Sequence, residues 1–390
     1  MGGVLTAHTF PEGWIPFTVP TFEGREAEYM AAVLGGGRTS GDGPFSKRCH
    51  SLLESSLGVG KALLTTSCTH ALEMAALLLR VGPGDEVILP SFTFVSTANA
   101  FVLRGATPIF ADVREDTLNL DETQLDSLLT PRTAAIVAMH YGGVGCEMDT
   151  ILETAARHGI PVVEDNAQGL FGSYRGRPLG SLGSIGALSF HETKNFSCGE
   201  GGAVLVNDLQ FAERAEIIRE KGTDRSRFLR GEVDKYSWVD IGSSYLLADL
   251  LAAILYGQLE ARERIQSRRR AIWERYETAL GQWAAGQGVL LPRVPEDCEQ
   301  PFHLFYLRLP DLDERQRFIA HMKDRRITVA FHYVPLHLSA IGQSLGGRPG
   351  QCPVTELVSD QLVRLPIYPS LSDPDQERVI GAVTEFAVRG

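Results

Sequence analysis

The chain has 390 residues, of which 44% are hydrophobic and 22% charged, a composition typical of a soluble globular protein with more than one domain. Its formal net charge of -11 argues against nucleic acid as a partner. No run approaches the ~20 apolar residues that span a bilayer, and the first residues lack the basic start of a signal peptide. The six cysteines contain no Cys-x-x-Cys pair. We therefore predict a cytoplasmic protein with reduced thiols, no metal site and no membrane contact.

The N-terminal part of the sequence predicts a short series of elements that ends in a helix. They are an arm over 1–20, helices over 24–34 and 45–57, a strand over 62–66 and a helix over 70–80. The turn before the last helix reads Ser67-Cys68-Thr69. Because the first N–H groups of a helix lack partners, a hydroxyl-rich turn at that point favours an anion site. A plain helix cap formed by Thr69 is the alternative.

Strand and helix patterns alternate regularly from Gly84 to Lys221. The predicted strands cover 86–89, 107–111, 134–139, 161–164, 186–190 and 203–206, and the predicted helices 96–104, 121–129, 148–158 and 209–221. This order predicts an α/β fold with a mostly parallel sheet covered by helices on both faces. Ligands of such sheets bind beyond the carboxyl ends of the strands. No Gly-x-Gly-x-x-Gly turn follows the first strand, which argues against a nicotinamide site.

The remainder of the chain completes the large domain and predicts a smaller one. We expect a loop over 225–245, a helix over 246–283, strands over 303–309 and 328–332, and a helix over 314–325. The change of pattern near Tyr256 divides the chain into a large α/β domain over 1–255, which includes the arm, and a small C-terminal α+β domain over 256–390.

One stretch of the large domain carries the residues that bear on chemistry. An apolar run ends in Asp165, and a second apolar run leads into Lys194. Six glycines between them, from Gly169 to Gly186, allow tight turns. A strand-end carboxylate and a lysine suit a pyridoxal phosphate (PLP) site, which needs a lysine for covalent attachment and an acid near the pyridine nitrogen. Taken alone, two such residues are weak evidence, since they more often form an ordinary surface pair.

Longer strings around these two residues resemble a known family. They are Glu164-Asp165-Asn166-Ala167-Gln168, Ser189-Phe190-His191-Glu192-Thr193-Lys194-Asn195 and Gly199-Glu200-Gly201-Gly202. The chain, roughly from 18 to 371, resembles the DegT/DnrJ/EryC1/StrS sugar aminotransferases, which are PLP enzymes. It looks closest to the dTDP-4-keto-6-deoxy-D-glucose 4-aminotransferases, including the enzyme of enterobacterial common antigen synthesis. Further matching strings are Ser67-Cys68-Thr69, the segment from Pro90 to Asn99, Lys221-Gly222-Thr223-Asp224-Arg225, the segment from Asp240 to Tyr245, and Phe331-His332-Tyr333-Val334-Pro335-Leu336-His337.

The resemblance implies the type I aminotransferase fold and a set of residues around PLP. Lys194 is implied as the residue that binds the cofactor covalently, and Asp165 as the partner of the pyridine nitrogen. Gln168 occupies the position that faces the phenolic oxygen, where many relatives have histidine.

The resemblance also assigns the cofactor's phosphate and ring face. Thr69, the N–H of His70 and the hydroxyl of Ser189 are implied as phosphate ligands, and Phe94 as the residue that stacks on the ring. Ser244 stands where many relatives have the asparagine that reaches the phosphate of a neighbouring subunit. A homodimer is therefore expected.

Three further residues are candidates for substrate contact. His191 lies three residues before Lys194, and His332 and Tyr333 lie in the string that the family places near the substrate. For each histidine a structural role is the alternative.

The resemblance implies transfer of an amino group from L-glutamate to C4 of a dTDP-linked 4-keto-6-deoxyhexose. The alternatives are a sugar 3-aminotransferase, use of another nucleotide sugar, or a PLP-binding regulator without turnover. The sugar dehydratases of this family carry histidine in place of the lysine, so Lys194 argues against that reaction. The sequence leaves open the gluco or galacto configuration of the product, and whether the pathway makes an antibiotic sugar or a surface polysaccharide.

Overall fold

The computed structural model describes residues 11–22 and 24–389. They form a large part around a seven-stranded sheet and a C-terminal layer around a three-stranded sheet. The strands are β1 (Lys61–Thr65), β2 (Glu86–Pro90), β3 (Thr107–Ala111), β4 (Thr133–Met139), β5 (Val162–Asp165), β6 (Ser173–Tyr174), β7 (Arg177–Pro178), β8 (Ile185–Ser189), β9 (Gly202–Val206), β10 (Cys298–Glu299), β11 (Phe305–Arg308), β12 (Ala330–Phe331) and β13 (Leu362–Leu365). The helices are α1 (Glu26–Gly36), α2 (Pro44–Leu57), α3 (Cys68–Leu78), α4 (Val95–Val102), α5 (Leu125–Leu128), α6 (Met148–His158), α7 (Ala212–Arg219), α8 (Arg225–Leu229), α9 (Asp249–Glu260), α10 (Arg262–Gln287), α11 (Leu312–Asp324), α12 (Ala340–Ser344), α13 (Pro353–Gln361) and α14 (Asp373–Thr384).

The central sheet has seven strands in the order β1-β9-β8-β5-β4-β2-β3. β9 runs antiparallel to both of its neighbours, and the pairs from β8 to β3 are parallel. The predicted mostly parallel α/β sheet is therefore confirmed. The carboxyl ends of β5 and β8 lie side by side, because Asp165 pairs with Ala187 in the parallel register.

Helices cover both faces of this sheet, as the near-continuous apolar strands require. Along β5, Val163 packs into a core with α3, α4 and α7, whereas Val162 packs into the core on the other face with α6. Successive strand residues point to opposite faces. The same alternation separates Glu164 from Asp165, whose side chains point to opposite faces of the sheet.

A second core surrounds the three-stranded sheet β11-β13-β12 in the C-terminal part of the chain. It is built from α10, α11 and α14 and also includes Ile15, which forms a bridge to Ile327. The N-terminal arm therefore packs on the C-terminal layer, and the boundary at 255/256 stays a prediction. Residues 1–10 of the predicted arm lie outside the described residues.

Some predicted elements are wrong in detail. The predicted helix over 246–283 is two helices, α9 and α10, because the backbone turns at Ala261 (ψ 5°). Each half then buries its apolar side against a different core. The predicted loop over 225–245 contains the short helix α8, and the predicted helix over 121–129 is a 3₁₀ turn followed by α5. The elements from α12 to α14 were not predicted.

Three properties of the described residues concern other kinds of site. None of their helices combines the length and hydrophobicity needed to cross a membrane. They contain no group of three or more histidine, cysteine or acidic side chains arranged to hold a metal ion. The six cysteines, all within this part of the chain, are buried and form no disulfide.

Candidate active site

A cavity of about 700 Å³ lies at the carboxyl ends of β5 and β8, between the sheet and the C-terminal layer. Nine of the predicted site residues line it: Thr69, Phe94, Asp165, Gln168, Ser189, His191, Lys194, His332 and Tyr333. Segments far apart in sequence therefore converge on one space, large enough for a small-molecule ligand.

Asp165 ends β5 and is only 4% exposed. Its Oδ2 accepts a hydrogen bond from Thr97 Oγ1 at 2.6 Å, and its Oδ1 accepts one from the Ala167 N–H at 3.2 Å. The Thr97 hydroxyl is also paired with that of Thr93, at 2.8 Å. These two hydrogen bonds fix the orientation of the Asp165 carboxylate at the cavity wall.

Lys194 lies in the turn that joins β8 to β9. The turn is closed by backbone bonds from the Cys198 N–H to the Phe190 carbonyl (3.0 Å) and from the Glu192 N–H to the Gly199 carbonyl (2.9 Å). Burial lowers the pKa of the Lys194 ammonium, a shift that the nearby Asp165 partly opposes. Among the described residues, none makes a hydrogen bond or ion pair with the Lys194 amine. A lysine with a lowered pKa and a free amine has the properties of a nucleophile.

The N-terminus of α3 forms one wall of the cavity. Ser67 is the helix cap, and its Oγ accepts the His70 N–H at 3.1 Å. The hydroxyls of Thr69 and Ser96 are 2.7 Å apart and both face the cavity. β9 begins directly against this turn, since a Cβ on Gly202 would lie 2.3 Å from the Ser67 carbonyl carbon. A helix N-terminus surrounded by hydroxyls suits a phosphate group.

Gln168 is held from both ends of its amide. Its Oε1 accepts the Gly142 N–H at 2.7 Å, and its Nε2 donates to the Tyr333 hydroxyl at 2.9 Å. The Tyr333 ring stacks on His332 with centroids 3.9 Å apart and planes at 10°. His332 Nδ1 lies 3.2 Å from the Tyr141 hydroxyl. These contacts fix the wall of the cavity that faces the C-terminal layer.

Three predicted site residues lie at the rim of the cavity or outside it. Phe94 is 57% exposed, and the partly exposed His191 pairs with Thr193 (3.0 Å) and with Glu200 (3.6 Å). His70 does not line the cavity: its side chain bonds to Thr66, and its N–H, the group implied as a phosphate ligand, donates to Ser67 Oγ. The contact of that N–H with a phosphate stays a prediction.

Ser244 is also outside the cavity. It is exposed at the surface, where its backbone forms a bridge to Glu220. The implied contact of Ser244 is with a neighbouring subunit, and it stays a prediction.

His303 and Arg364 are two of the cavity residues that the sequence interpretation missed. His303 is buried, and its Nδ1 lies 2.9 Å from Asn195 Oδ1, in the residue that follows Lys194. Arg364, on β13, also lines the cavity. Both come from the C-terminal layer and carry no local motif. Burial, with the charges of Lys194 and Arg364, holds the pKa values of His303 and His332 well below 6.5, so both rings are neutral at pH 7.

Comparisons with known proteins point to one family. A model of the DegT/DnrJ/EryC1/StrS aminotransferase family matches residues 20–384. The spore coat polysaccharide biosynthesis protein SpsC of Bacillus subtilis (strain 168) is 34% identical over 381 residues, which are 96% of this chain and 97% of SpsC. The structure of the aminotransferase TlmJ from Streptoalloteichus hindustanus is similar, with a TM-score of 0.88, 33% identity, and coverage of 95% of this chain and 98% of TlmJ. Spr1654 from Streptococcus pneumoniae, solved in PLP and PMP forms, gives a TM-score of 0.88 at 26% identity, covering 95% and 98%.

Proposed function

The chain belongs to the DegT/DnrJ/EryC1/StrS aminotransferase family, and we propose that it transfers an amino group from L-glutamate to C4 of dTDP-4-keto-6-deoxy-D-glucose. The product is a dTDP-4-amino-4,6-dideoxyhexose. The observation that carries the proposal is the single cavity that brings together Lys194, Asp165 and the hydroxyl-lined N-terminus of α3.

Pyridoxal 5'-phosphate is the cofactor of this family of aminotransferases, and the side chains of the cavity suit it. Asp165 would hold the ring nitrogen, and Lys194 the aldehyde carbon. Thr69, with the neighbouring Ser96 hydroxyl, would hold the phosphate, and Ser189, which lines the same cavity, would add a third hydroxyl. When bound, PLP stabilises negative charge on the carbon next to the transferred amine.

Lys194 is the residue that we propose to move the proton. Its lowered pKa increases the fraction of neutral Nζ at pH 7, and a neutral amine accepts a proton where an ammonium cannot. Nζ would take the proton from the α-carbon of glutamate and, in the second half of the reaction, deliver one to C4 of the sugar. The Lys194 amine, which makes no hydrogen bond or ion pair with the described residues, supports this assignment, because burial lowers its pKa more than the Asp165 carboxylate raises it.

The proposed substrate rests on the resemblance and on the chemistry of the cavity. The cavity is large enough for a hexose beside a cofactor, and it combines aromatic walls with neutral hydrogen-bonding rings. His332 and Tyr333 form one such wall, which is suited to the hydroxyls and the ring of a sugar. His191, at the rim, is placed to contact the part of the substrate that leaves the cavity.

We further propose that the active unit is a homodimer with the cavities at the interface. Phe94 lines the cavity yet is 57% exposed, so the mouth of the cavity has an apolar edge. The segment that precedes Ser244 exposes several large apolar side chains, including Trp238 at 78%. Exposed apolar groups of this kind mark interaction surfaces, and two-fold dimers are the commonest oligomers.

The test of the function is product analysis. The PLP-loaded protein is incubated with L-glutamate and dTDP-4-keto-6-deoxy-D-glucose, and the sugar is examined by NMR. A new amine at C4, with formation of 2-oxoglutarate, is expected. Amination at C3 of a 3-keto isomer would identify a sugar 3-aminotransferase instead. Turnover only with a sugar linked to another nucleotide would replace the proposed dTDP-sugar substrate. PLP binding without turnover on any keto-sugar would favour a regulator.

A further inference from the structure

His303 lies just before β11 and lines the cavity from the side of the C-terminal layer. Its backbone is fixed by Arg269, whose Nε and Nη2 donate to the Phe302 and His303 carbonyls at 3.0 Å and 2.5 Å. Its ring is fixed by Asn195, whose Oδ1 lies 2.9 Å from the ring Nδ1. Backbone and ring are therefore both held in one position at the cavity wall.

The contacts of Asn195 determine which nitrogen of the His303 ring carries the proton. Asn195 Nδ2 donates to the Pro301 carbonyl at 2.7 Å, and a carbonyl can only accept. The other end of the amide is therefore the oxygen, and His303 Nδ1 must donate to it. Burial and nearby cations, Lys194 foremost, hold the pKa of His303 well below 6.5, so the ring is neutral at pH 7. Nε2 then carries a lone pair and can only accept a hydrogen bond.

The Nε2 atom of His303 is an acceptor without a donor. None of the described residues donates a hydrogen bond to it, although His303 is only 8% exposed. Buried acceptors in proteins are nearly always paired, so an unpaired one at a cavity wall indicates a donor on the ligand. Lys194 lines the same cavity and, together with His303, a small adjoining space of about 10 Å³. The missing donor therefore belongs to a part of the ligand close to the reacting carbon.

We propose that His303 Nε2 accepts a hydrogen bond from the C3 hydroxyl of the keto-sugar. This inference rests on the proposed function and names a specificity-determining contact within the same cavity. The reacting carbon, C4, has to lie at Lys194. In a 4-keto-6-deoxyhexose the neighbours of C4 are C3, which carries a hydroxyl, and C5, which carries the methyl group and the ring oxygen. The C3 hydroxyl is therefore the only hydroxyl on a carbon next to the reacting one.

A ring nitrogen that can only accept discriminates between substituents at C3. A hydroxyl donates to Nε2, whereas a hydrogen atom or a carbonyl oxygen at C3 leaves Nε2 unpaired. Sites that bond to a substrate hydroxyl reject the analogue that lacks it, because their own polar group then has no partner. The protein should therefore prefer 3-hydroxy sugars to their 3-deoxy counterparts, and the preference should depend on His303.

The experiment measures, by calorimetry, the affinity of the PMP-loaded protein for dTDP-D-glucose and for its 3-deoxy and 2-deoxy analogues, which have no keto group and do not react. The first variant is His303→Asn, whose amide can still donate to Asn195 but is too short to reach the position of Nε2. The second is His303→Gln, whose longer side chain can place an oxygen near that position. His321→Asn is the matched control, because His321 lies on α11, bonds to the Ala382 carbonyl and does not line the cavity.

We expect the wild-type protein to bind the 3-deoxy sugar about 10-fold more weakly than dTDP-D-glucose, as for a hydrogen bond whose loss leaves a buried acceptor unpaired. This ratio should fall to within about twofold in His303→Asn, keep part of its value in His303→Gln, and equal that of wild type in His321→Asn. A role in folding alone would weaken both sugars equally, so an unchanged ratio in His303→Asn would overturn the proposal. If His303→Asn does not fold, the wild-type ratio decides, and equal affinities for the two sugars overturn the proposal.

Other outcomes separate the C3 contact from the proposed function. Equal wild-type affinities for dTDP-D-glucose and its 3-deoxy analogue would reject the contact and leave the proposed function standing. A loss with the 2-deoxy sugar alone would assign Nε2 to the C2 hydroxyl and overturn the C3 assignment. The series is repeated with UDP-sugars, where a 3-deoxy loss confined to that nucleotide would support the contact and reject the proposed dTDP-sugar. Binding of neither nucleotide sugar would reject both hypotheses.

Discussion

Replacement of Asp165 by asparagine tests whether this residue acts through its charge. Asparagine keeps the size of the side chain and one oxygen. Its amide can still bond to Thr97, whose hydroxyl also pairs with Thr93 and can reverse its direction. The loss is therefore confined to the negative charge at the end of β5. PLP should still bind, because the phosphate and aldehyde contacts remain, while turnover falls.

The size of the loss follows from the surroundings of the carboxylate. Two opposite unit charges about 4 Å apart interact by about 4 kcal/mol at an effective dielectric constant of about 20, the regime of a partly enclosed site. Asp165 is 4% exposed, so solvent screens this interaction weakly. Each ~1.4 kcal/mol of barrier is a tenfold change in rate. We expect kcat to fall by about 10²-fold or more, which corresponds to at least ~2.7 kcal/mol.

The assay is steady-state turnover with L-glutamate and dTDP-4-keto-6-deoxy-D-glucose, together with PLP content measured spectroscopically. Thr97→Ser, which keeps the hydroxyl donor, serves as the matched control and should retain most of the activity. Near wild-type kcat in Asp165→Asn would refute the assignment. The neighbouring Glu164 is a poor substitute, because it points to the opposite face and bonds to His140 (2.9 Å) and to the Gly183 N–H (2.6 Å).

Three further predictions concern the lysine, the assembly and the response to acid. Lys194→Ala should bind PLP without the visible absorbance of the covalent form, and a borohydride-reducible adduct at wild-type yield would contradict the assignment. Light scattering should give the mass of a dimer for the wild-type protein. The Trp238→Glu variant should shift towards the mass of a monomer. A wild-type protein that is fully active as a monomer would contradict the proposed dimer. The unfolded chain protonates His332 below about pH 6.5 but the folded chain does not, so acid lowers the free energy of unfolding. Urea denaturation measures the drop in the free energy of unfolding between pH 6.5 and 5.5. In His332→Asn this drop should be smaller by about 1 kcal/mol than in wild type. An equal drop in both proteins would show that His332 is not held neutral in the folded chain.

The central sheet could be predicted because its signals are local. Short apolar strands such as β2 and β4 are separated by amphipathic helices, and that order leaves few arrangements for the sheet. Asp165 ends β5 and Lys194 follows the adjacent β8, so their meeting at one edge was also predictable. The antiparallel direction of β9 could not be predicted, since a strand's sequence does not specify the direction of its neighbour.

The contribution of the C-terminal layer could not be predicted in the same way. Arg364 stands between Val363 and Leu365 in an apolar strand, and nothing in that pattern shows that its side chain faces the cavity. His303 follows a turn in which Phe302 has a positive φ of 54°, a conformation that depends on tertiary contacts. The arm residue Phe17 lies in a segment without a period. These residues enter the site only because the second core places them there.

The charges of the cavity explain why it is well prepared for anionic ligands. The Asp165 carboxylate acts on Lys194, whose pKa burial lowers, and His303 and His332 are neutral; Arg364 has no ion-pair partner among the described residues. Holding such a cation in an enclosed space costs stability, and a ligand that binds only the folded state offsets that cost. The same enclosure weakens solvent screening, so each carboxylate or phosphate that enters interacts more strongly than it would at the surface. Burial that disfavours the empty site therefore favours the bound one, and it does so for the anionic cofactor and for the anionic substrates alike.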